Sequence, residues 1–171
     1  MPGFLFCAQT DTMAVMPTLH QYSTRLLWTG NTGEGTQAYS SYDRAYTISV
    51  HGKPVIHGSS DPHFHGDPTR YNPEELLVAA LSSCHMLWFL HLCSAAGVIV
   101  DGYEDRAIGT MIEETDGGGR FTEVMLHPKV WVKDYNGDVE KINGLHKAAH
   151  QKCFIANSCN FPVRHEAECY G

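Results

Sequence analysis

The stretch NPEELLVAALSSC, residues 72–84, reads as the start of a helix and ends on a thiol. Only the thiolate of cysteine is a nucleophile, so Cys84 becomes a reagent if a cation, a hydrogen bond or a helix N-terminus favours its ionised form. The helix dipole acts within the first turn, and Cys84 lies too deep in its helix to use it, so help must come from another element. A second thiol, Cys153 in AHQKCFIANSCNFPV, falls where a second helix should end. Helix ends open more readily than helix middles, and a thiol there can approach another to disulfide range, with Cβ atoms about 3.5–4.5 Å apart. Cys159, six residues on, is placed for the same role. Against these readings stands the ordinary one, in which a free cysteine is a small apolar core residue.

Glu74 precedes Cys84 by ten residues, about 15 Å along a straight helix. The two cannot share a small site within one helix, but they can between two antiparallel copies of it. His85 adjoins Cys84 yet points about 100° away, and His91 is about 10 Å along the helix. Neither is placed as the base of a Cys–His hydrolase, and His85 is expected on the helix surface or at an interface. His146 and His150 stand at i and i+4, and His63 and His65 two apart in a loop. The helical pair lacks the intervening Glu of metalloproteases and a clear third ligand. The expectation is a solvated helix face and a polar loop, with no metal and no cofactor.

The elements that must carry these residues follow from pattern. Strands are expected within residues 20–58, with GNTGEGT and His51-Gly52-Lys53 as turns, and a non-periodic loop over 57–71. Asn72 is a helix N-cap, Pro73 suits the first helical position, Glu75 completes a capping box and Gly97 is the stop. Between them the helix is apolar nearly all round, which predicts burial on every side and hence a second subunit covering one face. Two strands follow, over 103–114 and 124–133, the latter with Val124, Leu126, Val130 and Val132 on one face. A helix over 138–154 and a closing strand over 161–170 complete an α+β order rather than a parallel βαβ array.

Composition limits the function classes. The net charge of -7 argues against nucleic acid, which needs a basic footprint, and against an anionic membrane surface; no run approaches a membrane span. The first residues fail the pattern of a signal peptide. Residues 1–18 are expected to be a flexible tail and 19–171 a single domain, in the cytoplasm, where six cysteines without a Cys-x-x-Cys stay reduced.

Taken together, NPEELLVAALSSC and AHQKCFIANS resemble the two cysteine motifs of the OsmC/Ohr family, the relatives of osmotically inducible protein C and organic hydroperoxide resistance protein. The similarity runs from about Tyr22 to Tyr170, and the chain has Cys153-Phe154 where the family motif usually reads Cys-Pro. The resemblance implies an OsmC-like α+β fold in an intertwined homodimer, with long buried central helices flanked by antiparallel sheets. It implies a thiol-dependent peroxidase that reduces alkyl or lipid hydroperoxides to alcohols, recharged by a dithiol reductant of lipoyl or thioredoxin type. By motif, Cys84 would be the peroxidatic cysteine, Cys153 the resolving one and Glu74 the carboxylate that holds an arginine beside the thiolate. Arg44, in SYDRAYTISV, is the choice for that arginine, with Arg70 and Arg25 as alternatives. Met86, Leu87, Phe89 and Phe154 would form an apolar wall. The other reading is a non-catalytic OsmC-fold protein that binds a small apolar ligand, with Cys84 as packing.

Overall fold

The computed structural model describes residues 18–171; apart from Thr18, the tail expected over residues 1–18 lies outside them, as does Cys7. Three short strands open the described chain: β1 (Arg25–Trp28), β2 (Tyr46–Ser49) and β3 (Ile56–Gly58), paired antiparallel in that order. Trp28 faces Tyr46 and Thr47 faces His57. The turn at 51–53 works because Gly52 takes φ +74°, a left-handed value that side chains resist. No residue of this sheet enters either of the two cores described below, and all four positions of β1 are exposed. It is an arm rather than part of the body.

Helix α1 (Pro73–Ala95) begins as its sequence dictates. The Glu75 N–H donates to Asn72 Oδ1 at 2.8 Å and the Asn72 N–H to Glu75 Oε2 at 3.0 Å, a complete capping box. Its end is a Schellman turn: Gly97 adopts φ +68°, its N–H donates to the Ser94 carbonyl, and the Val98 N–H donates to the Cys93 carbonyl. Burial, however, is limited to one stripe, Leu81, His85, Phe89 and Cys93, spaced by four residues. Leu87 on the far side is 62% exposed. The single chain therefore covers one face of α1, not all of it. By length and composition α1 would also suit a membrane crossing, against the expectation that no run approaches one; its buried stripe packs instead on α2 and the strands.

The two strands expected next are each broken in two. β4 (Val100–Asp105) and β5 (Ile108–Glu113) part at Arg106-Ala107, and β6 (Gly119–Leu126) and β7 (Pro128–Val132) part at His127. Pro128 has no N–H for the ladder, which favours a break there. Inward alternation nonetheless continues across it, through Val124, Leu126, Pro128, Val130 and Val132. Asp105 holds both breaks: one carboxylate oxygen accepts from the His127 N–H at 2.7 Å and the other from the Ser82 hydroxyl of α1. The closing strand is likewise split into β8 (Val163–His165) and β9 (Glu168–Tyr170). These run parallel to β6 and β7, giving sheets β5-β6-β8 and β4-β7-β9. The flanking sheets are thus mixed rather than purely antiparallel, because helix α2 (Val139–Lys152) supplies the long crossover that parallel neighbours require.

Two apolar clusters result, one of Phe89, Cys93, Val130, Val132, Ile142 and Ala149, the other of Leu81, Val124, Leu126 and Val163. Beside them, where α1 meets α2, lies an unexpected pair. His85 and His146 are 1% and 0% exposed, and His85 Nε2 stands 3.0 Å from His146 Nδ1. His85 is therefore not a surface residue, and α2 turns His146 inward beside Ile142 and Ala149 rather than to solvent. Burial, and then the neighbouring histidines, push the imidazole pKa down to about 4 for His85 and about 3 for His146. Unfolded imidazoles bind a proton near pH ~6.5. Between that value and about 4 for His85, and down to about 3 for His146, the folded state binds fewer protons than the unfolded one, so stability falls as pH drops through this window and levels off only below it. From pH 7 to 4.5 the first imidazole alone should account for a loss on the order of 2–3 kcal/mol. Urea denaturation at both pH values should show a shallower loss in His85→Phe/His146→Leu than in the wild type; equal losses would take the pair out of acid denaturation.

Candidate active site

Helices α1 and α2 run antiparallel along their seam: the Phe89 ring stacks on His146 with centroids 3.8 Å apart, and Trp88 meets Phe154 edge-on at 5.7 Å. The same crossing brings Cys84, half-buried on α1, against Cys153 at the C-cap of α2. Their side chains are close enough for Cys84 to bear on the ionisation of Cys153. Cys153 is only 1% exposed. Its Sγ accepts the Ala156 N–H at 3.4 Å, and its own N–H donates to the His150 carbonyl at 3.2 Å. Burial first, and then the Cys84 contact, push the Cys153 thiol up to about 11, against a smaller opposite pull from the backbone N–H groups of Ala156 and Ile155. At neutral pH Cys153 is a thiol, and Cys84 is the member of the pair that solvent reaches.

Cys159 stands apart. It packs beside the second core and its thiol donates to the Ile155 carbonyl at 3.3 Å. Cys93 is a core thiol, raised to about 11 chiefly by burial, which is the ordinary reading of a free cysteine.

The wall differs from the one expected. Phe89 is fully buried and faces the core, and Met86 turns into a groove on another side of α1. Phe154, 69% exposed, and Trp88 shape the approach to the thiols, with Lys152 Nζ 5.5 Å from the Trp88 ring centroid. Trp88 escaped the sequence reading although its signal was there, one helical turn after Cys84.

Glu74 and Arg44 are not at the thiols of their own chain. Glu74 lies in the first turn of α1 and lines, with Val78, Ser82 and Met86, an open groove of about 670 Å³. Its carboxylate adds to burial in raising the Tyr46 hydroxyl above its ordinary pKa. The Arg44 guanidinium sits 4.1 and 4.3 Å from the ring centroids of Tyr39 and Tyr42 and donates to both of their carbonyls. The expected Glu74–Arg44 ion pair is therefore not formed within the chain. Arg70 pairs with Asp67 at 3.1 Å, and Arg25 is on the exposed strand β1. The reason is common to all three arginines: they precede α1, in the arm and its connecting loop, and nothing in the fold carries that region back to the α1–α2 seam. His165, on β8, joins His85, His146 and His150 in one cluster, but among the described residues no three His, Cys, Asp or Glu groups are arranged to hold a metal ion.

The sequence profile of the OsmC-like protein family matches residues 65–168, a span that contains both thiols and their helices. The chain belongs to the OsmC-like family. An OsmC-like protein of unknown function from Vibrio cholerae is 32% identical and superposes with a TM-score of 0.79, covering 88% of this chain and 100% of its own. Organic hydroperoxide resistance proteins from Elizabethkingia anophelis and Legionella pneumophila share the fold at 18% and 14% identity, with TM-scores of 0.65 and 0.64. Each alignment covers 91% of this chain and 99% or more of the other. No curated protein matches the chain by sequence. In this OsmC-like chain, then, the two cysteine motifs meet in space, while the residues expected to activate them lie elsewhere in the same subunit.

Proposed function

We propose that this OsmC-like protein is a cysteine-based peroxidase that reduces organic hydroperoxides to alcohols. The observation that carries the reading is the proximity of a half-buried Cys84 to a fully buried Cys153 across the α1–α2 seam. The order of steps follows from exposure. Cys84 thiolate attacks the distal oxygen, the O–O bond breaks, and the alkoxide leaves as an alcohol after taking a proton, which leaves Cys84 as a sulfenic acid. Cys153 sulfur then attacks Cys84 sulfur; the S–O bond breaks, the Cys153 proton leaves with the hydroxyl as water, and a disulfide remains. A dithiol of lipoyl or thioredoxin type restores both thiols by exchange. Trp88, Phe154 and Leu87 offer an apolar approach suited to an alkyl chain.

The working unit in this reading is a homodimer. A second copy would cover the open face of α1 and give the arm something to pack on. Arg44 and Glu74 of one subunit would then serve the thiols of the other. All five described cysteines are free, which suits a reducing compartment such as the cytoplasm.

One equivalent of cumene hydroperoxide should convert the reduced protein to an intramolecular Cys84–Cys153 disulfide, identified by peptide mapping in a mass spectrometer. A dominant Cys84–Cys159 product would reassign the resolving thiol, and an unoxidised Cys84 would end the peroxidase reading. Sustained turnover is then measured with dihydrolipoamide and with thioredoxin.

A further inference from the structure

We propose that His85 and His146 are positioning residues for the thiol pair: a clasp between α1 and α2, closed by a single proton, that sets how closely Cys84 and Cys153 face each other. The inference rests on reading these thiols as a redox couple. The clasp is visible in three measurements. The two nitrogens are 3.0 Å apart, the ring planes differ by 4°, and the centroids are 5.3 Å apart. Face-to-face rings would lie much closer, as His146 does to Phe89 at 3.8 Å. The two imidazoles therefore meet edge to edge in one plane, each pointing a nitrogen at the other.

That arrangement accepts one proton and no more. Without it two lone pairs oppose each other; with two, N–H faces N–H. The outer nitrogens, His85 Nδ1 and His146 Nε2, are buried with no partner, so nothing else fixes which ring donates. The other titratable groups around the pair are His150 of α2, His165 of β8 and, behind Phe89, the Tyr103 hydroxyl of β4. The charges that bear on either ring are those of histidines, so a second proton would find no counter-charge. Two other uses of the pair are closed by the same geometry. His85 Nε2 is engaged with His146 and Nδ1 has no partner, so neither nitrogen is hydrogen-bonded to Cys84 as its base. Nitrogens aimed at each other cannot both be aimed at a shared metal ion.

Placement makes the clasp matter to the thiols. His85 follows Cys84 directly, and His146 lies seven residues before Cys153, two helical turns away on the same face. The hydrogen bond thus ties the same two helices that present the thiols, and helices transmit a shift along the seam because they are stiff. Disulfide formation tolerates little of it, given the narrow Cβ separation it demands.

The test reads the dithiol without peroxide. In glutathione buffers at pH 7, Cys84 and Cys153 thiols plus oxidised glutathione give the Cys84–Cys153 disulfide plus two reduced glutathiones, and the equilibrium constant reports how well the thiols are apposed. His146→Leu should lower it by about tenfold or more, the scale expected of an ångström-sized misplacement. His85→Phe/His146→Leu should lower it similarly while keeping the fold, since both polar partners are removed together. His146→Asn and His85→Gln, whose amides stand near the positions of Nδ1 and Nε2, should restore it to within about threefold of wild type. A wild-type equilibrium constant in the folded double variant would overturn the clasp, as would an asparagine variant no better than the leucine one. A wild type that forms the disulfide but consumes no hydroperoxide would instead overturn the peroxidase reading and leave the clasp to be judged by these ratios.

Discussion

Cys84→Ser should abolish hydroperoxide consumption, a loss of at least about a thousandfold against the wild type with cumene hydroperoxide. A serine hydroxyl is not appreciably ionised near neutral pH and forms no analogue of a sulfenic acid, so the first step has no substitute. The fold should survive, because Cys84 is only half-buried and serine fits the space of a thiol. Cys153→Ser should differ in kind. The variant should still consume one equivalent and then stop as a Cys84 sulfenic acid, which dimedone traps, because the attacking sulfur has gone. The contrast separates the two roles in one experiment. Turnover by Cys84→Ser equal to wild type would end the mechanism, and continued turnover by Cys153→Ser would show that an external thiol resolves the sulfenic acid.

What could be read from the sequence depended on the range of the interaction responsible. The ends of α1 were legible to the residue, because Asn72, Pro73, Glu75 and Gly97 act on backbone groups within a turn of themselves. The elements of the two thiols were legible from local pattern, Cys84 inside α1 and Cys153 at the end of α2. The strand breaks at Arg106-Ala107 and His127 were not, since inward alternation passes straight through the second of them and the anchor, Asp105, is a single residue reaching Ser82 across the fold. The burial of His85, expected on the helix surface or at an interface, and of His146, expected on a solvated face, was not legible, because polarity is a property of single residues. Each is buried only because the other, sixty-one positions away, offers it a partner, and no local pattern records that. Arg44, chosen ahead of Arg70 and Arg25 for the thiol site, does not reach the thiols of its own chain. The reason is again one of range: the arm containing it joins neither core, and no local pattern records its destination.

That destination is open to a complementation experiment. Glu74→Ala and Cys84→Ser chains should each be inactive alone and recover activity when mixed and refolded together. Glu74 is the suitable lesion because its removal spares the helix start: the capping box is made by Asn72 and Glu75, and losing one first-turn carboxylate weakens the dipole interaction by only about 0.3–1 kcal/mol. An inactive Glu74→Ala dimer would then reflect the site and not the fold. If Glu74 of one subunit serves Cys84 of the other, a mixed dimer contains one site with both residues intact and one with neither. Heterodimers should therefore approach about half of wild-type activity, as expected when each dimer has one working site and the sites act independently. If each site is built within one chain, every site in the mixture keeps one lesion and nothing is restored. The geometry within the chain favours the first outcome. Glu74 and Cys84 lie ten residues apart on α1, about 15 Å along its axis, and the groove that Glu74 lines runs through Val78, Ser82 and Met86 on a different side of the helix from Cys84. A partner's α1 laid antiparallel to this one would span that distance and bring its own Cys84 towards this Glu74. Confirmed heterodimers without activity would retire the shared site and leave the arm and the open face of α1 to be explained by a partner that supplies no catalytic group.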